Sequence, residues 1–226
     1  MLRKAGTQYL VQTKNILKIF ANMKGVGKPL MVNRLVKRVV CKKNSDAKDW
    51  IRIMEGDIEY LGDTQRCTMA YITESNKKKK DTLVLNVDNF EDAIHFAEEM
   101  GFIEKSYQEH LRSKFTYELD DVTYVIRFDV WAQTSEYTVI EVGLFSSGQL
   151  NLKRILNNLK IMDYAGEIKN KTFKNFIGEE REKKLNEKSL VDIQELYKEL
   201  HGKIASEIPY ITFNSKVFNF SKTIKT

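Results

Sequence analysis

Apolar positions along the chain switch between two periods, and the switch points outline the elements. Within "GTQYLVQTKNILKIFANMKG", Leu10, Ile16, Leu17 and Phe20 recur at helical spacing, which predicts a helix over residues 7–23 closed by Gly25 and Gly27. Short runs rich in Val, Ile, Thr and aromatics follow: "LMVNRLVKRVV", "DWIRIMEG", "DIEYLG", "RCTMAYITE" and "TLVLNV". Charged or Gly-containing turns separate them, so they read as strands. "DNFEDAIHFAEEMG" returns to a helical period, with Phe90, Ala93, Ile94 and Ala97 on its apolar face. Asp88 is the expected cap, Glu91 completes a capping box, and Gly101 fits the residue just past the end. His95 lies beside the apolar face and is expected to be structural or exposed.

Three more strands are expected in "EHLRSKFTYEL", "VTYVIRFDVW" and "EYTVIEVGLF", the first two joined at Asp120-Asp121. Alternation in the second puts Val122, Tyr124, Ile126 and Phe128 on a packed face, with Arg127 and Asp129 on the other. The last third is helical, with stripes at Leu152, Ile155, Leu156 and Leu159 and at Leu190, Ile193, Leu196, Tyr197 and Leu200. A charged linker, "GEEREKKLNEK", lies between them, and the tail from Pro209 alternates as a strand would. Short loops and hairpin signals favour antiparallel pairing. The expectation is an α+β protein with an antiparallel tunnel or barrel-like sheet and flanking helices. It divides into an N-terminal helix (1–29), a β-rich core (30–148) and a C-terminal helical extension with its tail (149–226).

Composition narrows the class. No apolar run approaches the roughly 18 residues of a membrane span, and no secretory signal pattern opens the chain, so a soluble protein is expected. Cys41 and Cys67 are the only cysteines, without the spacing of a zinc site or disulfide framework, which suits a reducing compartment such as the cytoplasm. There are 37 basic and 31 acidic residues, a net charge of +6 that favours phosphate-bearing partners. The lysine run at 77–80 reads as a loop tip or edge-strand guard. "GVGKP" is not a phosphate loop, because Asn22 and Pro29 stand where that motif needs Gly and Ser or Thr.

"LNVDNFEDAIHFAEEMGF", "RSKFTY", "VIRFD" and "YTVIEV", in that order, resemble the second half of a CYTH domain, the triphosphate tunnel metalloenzyme superfamily. The resemblance covers about residues 50–143. It implies a closed antiparallel tunnel of about eight strands, with basic residues gripping a triphosphate and carboxylates holding Mg²⁺ or Mn²⁺. Carried over position by position, it gives Arg112 and Lys114 on the basic strand and Arg127 beside them. Asp129 and Glu141 become the acids that hold the metal and act in catalysis. Lys37 and Arg52 are the counterparts of the phosphate-binding residues on the earlier strands. The departures are equally specific. The family's Glu-x-Glu-x-Lys strand is here Asn33-Arg-Leu35-Val-Lys37, which keeps the lysine and neither acid. Val139 stands where the last strand's first acid belongs.

Three functions follow. One is a divalent-metal-dependent triphosphate-processing enzyme, a phosphohydrolase or nucleotidyl cyclase, acting on a triphosphate-bearing small molecule or an RNA 5′ end. A second is a catalytically degenerate tunnel-like domain, an anion-binding or assembly subunit with protein partners on its terminal helices. A third is a nucleic-acid-binding protein, for which no signature motif stands out.

Overall fold

A computed structural model describes residues 8–44, 47–57, 66–74, 80–131, 135–144, 151–164 and 190–208. Eight strands form one sheet in which every pairing is antiparallel. They are β1 (Gln8–Gln12), β2 (Gly27–Lys42), β3 (Trp50–Asp57), β4 (Arg66–Glu74), β5 (Lys80–Val87), β6 (Ile103–Leu119), β7 (Val122–Trp131) and β8 (Tyr137–Leu144). Their order is β1-β8-β7-β6-β2-β3-β4-β5. The helices are α1 (Ile16–Asn22), α2 (Phe90–Glu99), α3 (Leu152–Asn158), α4 (Ile161–Tyr164) and α5 (Leu190–Glu207). The resemblance implies a closed tunnel; among the described residues the sheet is open, with β1 and β5 at its edges. No described helix is long and apolar enough to cross a membrane. The runs at 58–62, 178–188 and 209–226, read above as a strand, a linker and a further strand, lie outside the described residues.

Local chemistry accounts for the best-read elements. Asp120 and Asp121 both take positive φ, +52° and +58°, which makes the tight two-residue connection that matches strand twist. Gly101, at φ +79°, ends α2: its N–H donates to the Glu98 carbonyl at 2.8 Å, and the Phe102 N–H donates to the Ala97 carbonyl at 3.0 Å. The α2 cap falls one residue later than expected. Asn89 Oδ1, not Asp88, accepts from the Glu91 and Asp92 N–H groups at 2.8 and 3.2 Å. The helix expected over 7–23 shortens to α1, because Gln8–Gln12 pairs with β8 instead. Strand pairing with Tyr137–Glu141 overrides the local helical period there.

All helices with buried faces pack on one side of the sheet. Phe20 of α1 packs on Phe115 and Phe128 with ring centroids 4.9 and 5.0 Å apart. Tyr124, Ile126 and Phe128 of β7 join this core, as their alternation predicts, together with Ile155 of α3 and Ile193, Leu200 and Ile204 of α5. On the same side α2 covers a second core of Val39, Cys41, Ile51, Ile53 and Cys67. Both cysteines are free, and burial pushes their thiols up, to about 11 for Cys41 and about 12 for Cys67.

One irregularity matters for function. Gly56 sits at φ +91° where the β3–β4 register slips between Glu55 and Asp57, a bulge that turns Asp57 away from the face of Glu55. The sequence reading broke the chain here into two strands; Asp57 instead closes β3. A Cβ on Gly56 would lie 2.2 Å from the Leu35 carbonyl oxygen, whereas one on Gly101 meets nothing within 4 Å. Gly101→Ala is therefore expected to cost roughly 1–2 kcal/mol from backbone strain alone. Gly56→Ala is expected to cost more, because the methyl meets backbone. Urea midpoints of the two variants check this, and equal midpoints would remove the clash argument.

Candidate functional site

Strand parity decides which side chains share the helix-free face. Across β6, β7 and β8, Arg112 stands opposite Asp129 and Asp129 opposite Val139; Lys114 stands opposite Arg127 and Arg127 opposite Glu141. These residues alternate with Leu111, Phe115, Ile126 and Phe128 of the helix-covered core, so they point the other way. The bulge at Gly56 adds Asp57 from β3. On a flat sheet β3 and β6 would lie about 10 Å apart. Asp57 nevertheless touches Arg112 and Lys114, so the sheet curls and the long side chains span the rest.

The contacts form one network. Arg112 Nε and Nη2 donate to Asp129 Oδ1 and Oδ2 at 2.7 and 3.0 Å, a two-point pair. Arg112 Nη1 donates to Asp57 Oδ2 at 2.6 Å, and Lys114 Nζ lies 2.5 Å from Asp57 Oδ1. Arg127 Nε sits 3.1 Å from Asp129 Oδ2 without hydrogen-bond geometry, and its Nη2 donates to Glu141 Oε2. Arg112, Lys114 and Asp129 are 4%, 3% and 3% exposed, so these charges are buried despite lying on the helix-free face. Arg112, Lys114 and Arg127 meet Asp57, Asp129 and Glu141.

The electrostatics follow from burial against pairing. Burial opposes ionisation of Asp129, but Arg112, Arg127 and His110 outweigh it and hold its carboxyl below the usual range. Burial likewise opposes the Arg112 charge, and Asp129 and Asp57 reverse that effect. Asp57 is lowered against burial by Arg112 and Lys114. For Lys114 burial wins over Asp57, and its pKa falls.

His110, opposite Trp131 on the same face, stacks on that ring at 4.2 Å. Neither ring nitrogen has a hydrogen-bond partner, and Nε2 lies 3.7 Å from Asp129 Oδ1, too far for one. Burial, reinforced by Arg112, pushes the His110 pKa down to about 3, so the ring is neutral near pH 7.

Five of the seven residues singled out from the sequence come together here: Arg112, Lys114, Arg127, Asp129 and Glu141. Lys37 does not. It is turned to the α2 side, 3.4 Å from Glu55 and 5.9 Å from the Phe90 ring centroid. Arg52 has the parity of the inner face, but it stands opposite Val40, six residues along β2 from the Arg34 that faces Arg112. That is about 20 Å along the strand. His95 is exposed and pairs with Glu98 at 3.2 Å. Two participants were missed. Arg34 stands opposite Arg112, its pKa lowered by burial and raised in part by Asp57. Asp57 was readable only through the glycine before it, since a glycine within a strand signals a bulge.

The donor set was tested against a divalent cation. Mg²⁺ and Mn²⁺ need carboxylate oxygens turned toward them. Here both oxygens of Asp129 and both of Asp57 face Arg or Lys nitrogens, and Glu141 Oε2 accepts from Arg127. Among the described residues, no group of three or more His, Cys, Asp or Glu side chains is arranged to hold a metal. These residues do not fit the metal that the resemblance implies.

Solved structures share the architecture. A candidate adenylate cyclase from Vibrio parahaemolyticus superposes with a TM-score of 0.52 at 11% identity, over 77% of this chain and 98% of that one. The likeness is one of fold. A protein from Pyrococcus horikoshii OT3 gives a TM-score of 0.42 at 14% identity, covering 72% of this chain and 90% of that one. A chain of the Schizosaccharomyces pombe Mediator head module gives 0.41 at 14% identity, covering 77% and 94%. No family model and no curated protein matches the sequence. The likeness to the first of these is one of architecture alone, so the chemistry has to be argued from the side chains.

The depressed His110 pKa makes a signed prediction. Its ordinary value is 6.5 and its folded value about 3, so the unfolded chain binds the extra proton between those limits. Stability is full above pH 6.5 and falls as pH drops toward 3, by up to roughly 1.4 kcal/mol per pH unit. The lowered carboxyls of Asp129 and Asp57 add their loss only below about pH 4, the ordinary range of Asp. Urea melts at pH 7, 6, 5 and 4 should show the fall beginning near 6.5. His110→Phe, which keeps the stack on Trp131, should flatten the segment above pH 4.

Proposed function

We propose that this chain is a catalytically silent tunnel-like domain that serves as an assembly subunit, its inner-face charges holding the curled sheet together. The supporting observation is the saturation of Asp129 and Asp57 by Arg112 and Lys114. A phosphoryl-transfer site leaves cations free to meet phosphate and carboxylates free to hold a metal. Here Asp129, Asp57 and Glu141 are already engaged by Arg112, Lys114 and Arg127. A triphosphate would have to displace Asp57 and Asp129 from Arg112, leaving Asp57 with Lys114 and the buried Asp129 with Arg127. Metal-dependent processing of a triphosphate, the activity implied by the family resemblance, would need that rearrangement in every turnover.

The test is phosphate release from nucleoside triphosphates and tripolyphosphate with Mg²⁺ or Mn²⁺. No turnover above the blank is expected. Arg112→Ala is expected to act on folding instead, lowering stability by about 3–5 kcal/mol, the scale for removing one partner of a buried ion pair. Turnover in the parent that disappears in Glu141→Gln, with the urea midpoint kept, would overturn the proposal and establish the enzyme.

A further inference from the structure

The terminal helices do not present their apolar stripes outward: Ile16, Ile19 and Phe20 of α1 and Ile193, Leu200 and Ile204 of α5 lie in the core. The apolar surface lies elsewhere. On edge strand β5 three consecutive residues, Leu83, Val84 and Leu85, are 63%, 42% and 49% exposed. One side of β5 pairs with β4 along its whole length; among the described residues, no strand pairs with the other. An edge strand of eight residues with an exposed apolar centre is a template for another strand.

The sequence of β5 names its occupant. Read outward from Val84, positions 83 and 85 are both leucine, 82 and 86 are Thr and Asn, 81 and 87 are Asp and Val, and 80 and 88 are Lys and Asp. Run antiparallel against itself, the segment is complementary at its apolar centre and at the 80/88 pair, and not at Asp81 against Val87. With Val84 opposite Val84 of a second copy, Leu83 stands opposite Leu85, and position 80 opposite position 88, a cation against a carboxylate at each end. A two-fold interface requires such self-complementarity.

From this we infer that β5 pairs antiparallel with β5 of a second copy, about a two-fold axis at Val84, joining two eight-stranded sheets edge to edge. The partner is another molecule of this chain. The inference goes beyond the assembly reading and uses none of the residues of the inner-face network, so the two fail separately. Phosphate release bears on one and oligomeric state on the other.

Sedimentation velocity of the full chain across a concentration series is expected to show a monomer–dimer equilibrium. Val84→Lys places like charges together at the axis and should weaken the dimer by about tenfold or more, with far-UV circular dichroism unchanged. Lys80→Glu and Asp88→Lys, each alone, set like charges against each other at both ends and should be monomeric. Mixed in equal amounts they should pair, because each new charge then faces its opposite. This recovery cannot come from a folding defect in either variant. A parent that stays monomeric throughout would overturn the inference. So would a dimer indifferent to Val84→Lys, or single variants that do not recover on mixing. A monomeric parent that binds a different protein through β5 would overturn the second copy as partner.

Discussion

Arg112 carries a charge that is 4% exposed, and the fold around it is organised to meet that charge. Taking one such ion out of water costs several kcal/mol unless geometry and hydrogen bonds return it. Asp129 returns part through a two-point pair from the neighbouring strand, and Asp57 returns more from two strands away. The guanidinium therefore ties β3, β6 and β7 to one another. It also fixes register. A slip of one residue between β6 and β7 would carry Arg112 onto the face occupied by Phe20, Phe115 and Phe128, where no carboxylate waits.

That constraint explains features that look unrelated. Gly56 is a glycine because the β3 bulge needs positive φ and leaves no room for a Cβ beside Leu35. The bulge exists at the position where β3 must send a carboxylate to the inner face. Lys114 lies close to Asp57 because the acid has a second oxygen to satisfy. His110 is neutral because the neighbouring charge is already balanced: Asp129 attracts a proton to the ring, but burial and Arg112 repel it more strongly. Buried polar networks of this kind favour one arrangement over its neighbours, since every alternative strands a charge.

Function follows from where charge is balanced and where apolar surface is not. On the inner face, which the resemblance makes a phosphate grip, Arg112, Lys114 and Arg127 are already paired with Asp57, Asp129 and Glu141. The outer face is sealed by α1, α2, α3 and α5 over two cores. Among the described residues the sheet has two open edges, β1 and β5, and β5 exposes Leu83, Val84 and Leu85 at its centre. The proposed assembly role rests on these paired inner charges and on that exposed edge. Shared architecture with a candidate cyclase does not bear on that point, because folds host many functions and sites decide them.

The sequence by itself determined whatever depends on near neighbours. Alternation assigned the two faces of β7, Asp120-Asp121 set the hairpin, and the period of Phe90, Ala93 and Ala97 with Gly101 set α2. Alternation put Arg127 and Asp129 on one face, and the family resemblance added Arg112, Lys114 and Glu141 to the same site. Tertiary structure alone decided what depends on distant partners. Gln8–Gln12 became a strand because β8 offered it backbone groups, against its own helical period. Asp57 joined the cluster through a bulge and the curl of the sheet, and Lys37 fell on the opposite side, against Glu55. Above all, the pairing of each cation could not be read. A lysine or arginine in a strand has the same local pattern whether it waits for a phosphate or is already held by an aspartate two strands away, and only the folded chain brings that aspartate within 2.6 Å.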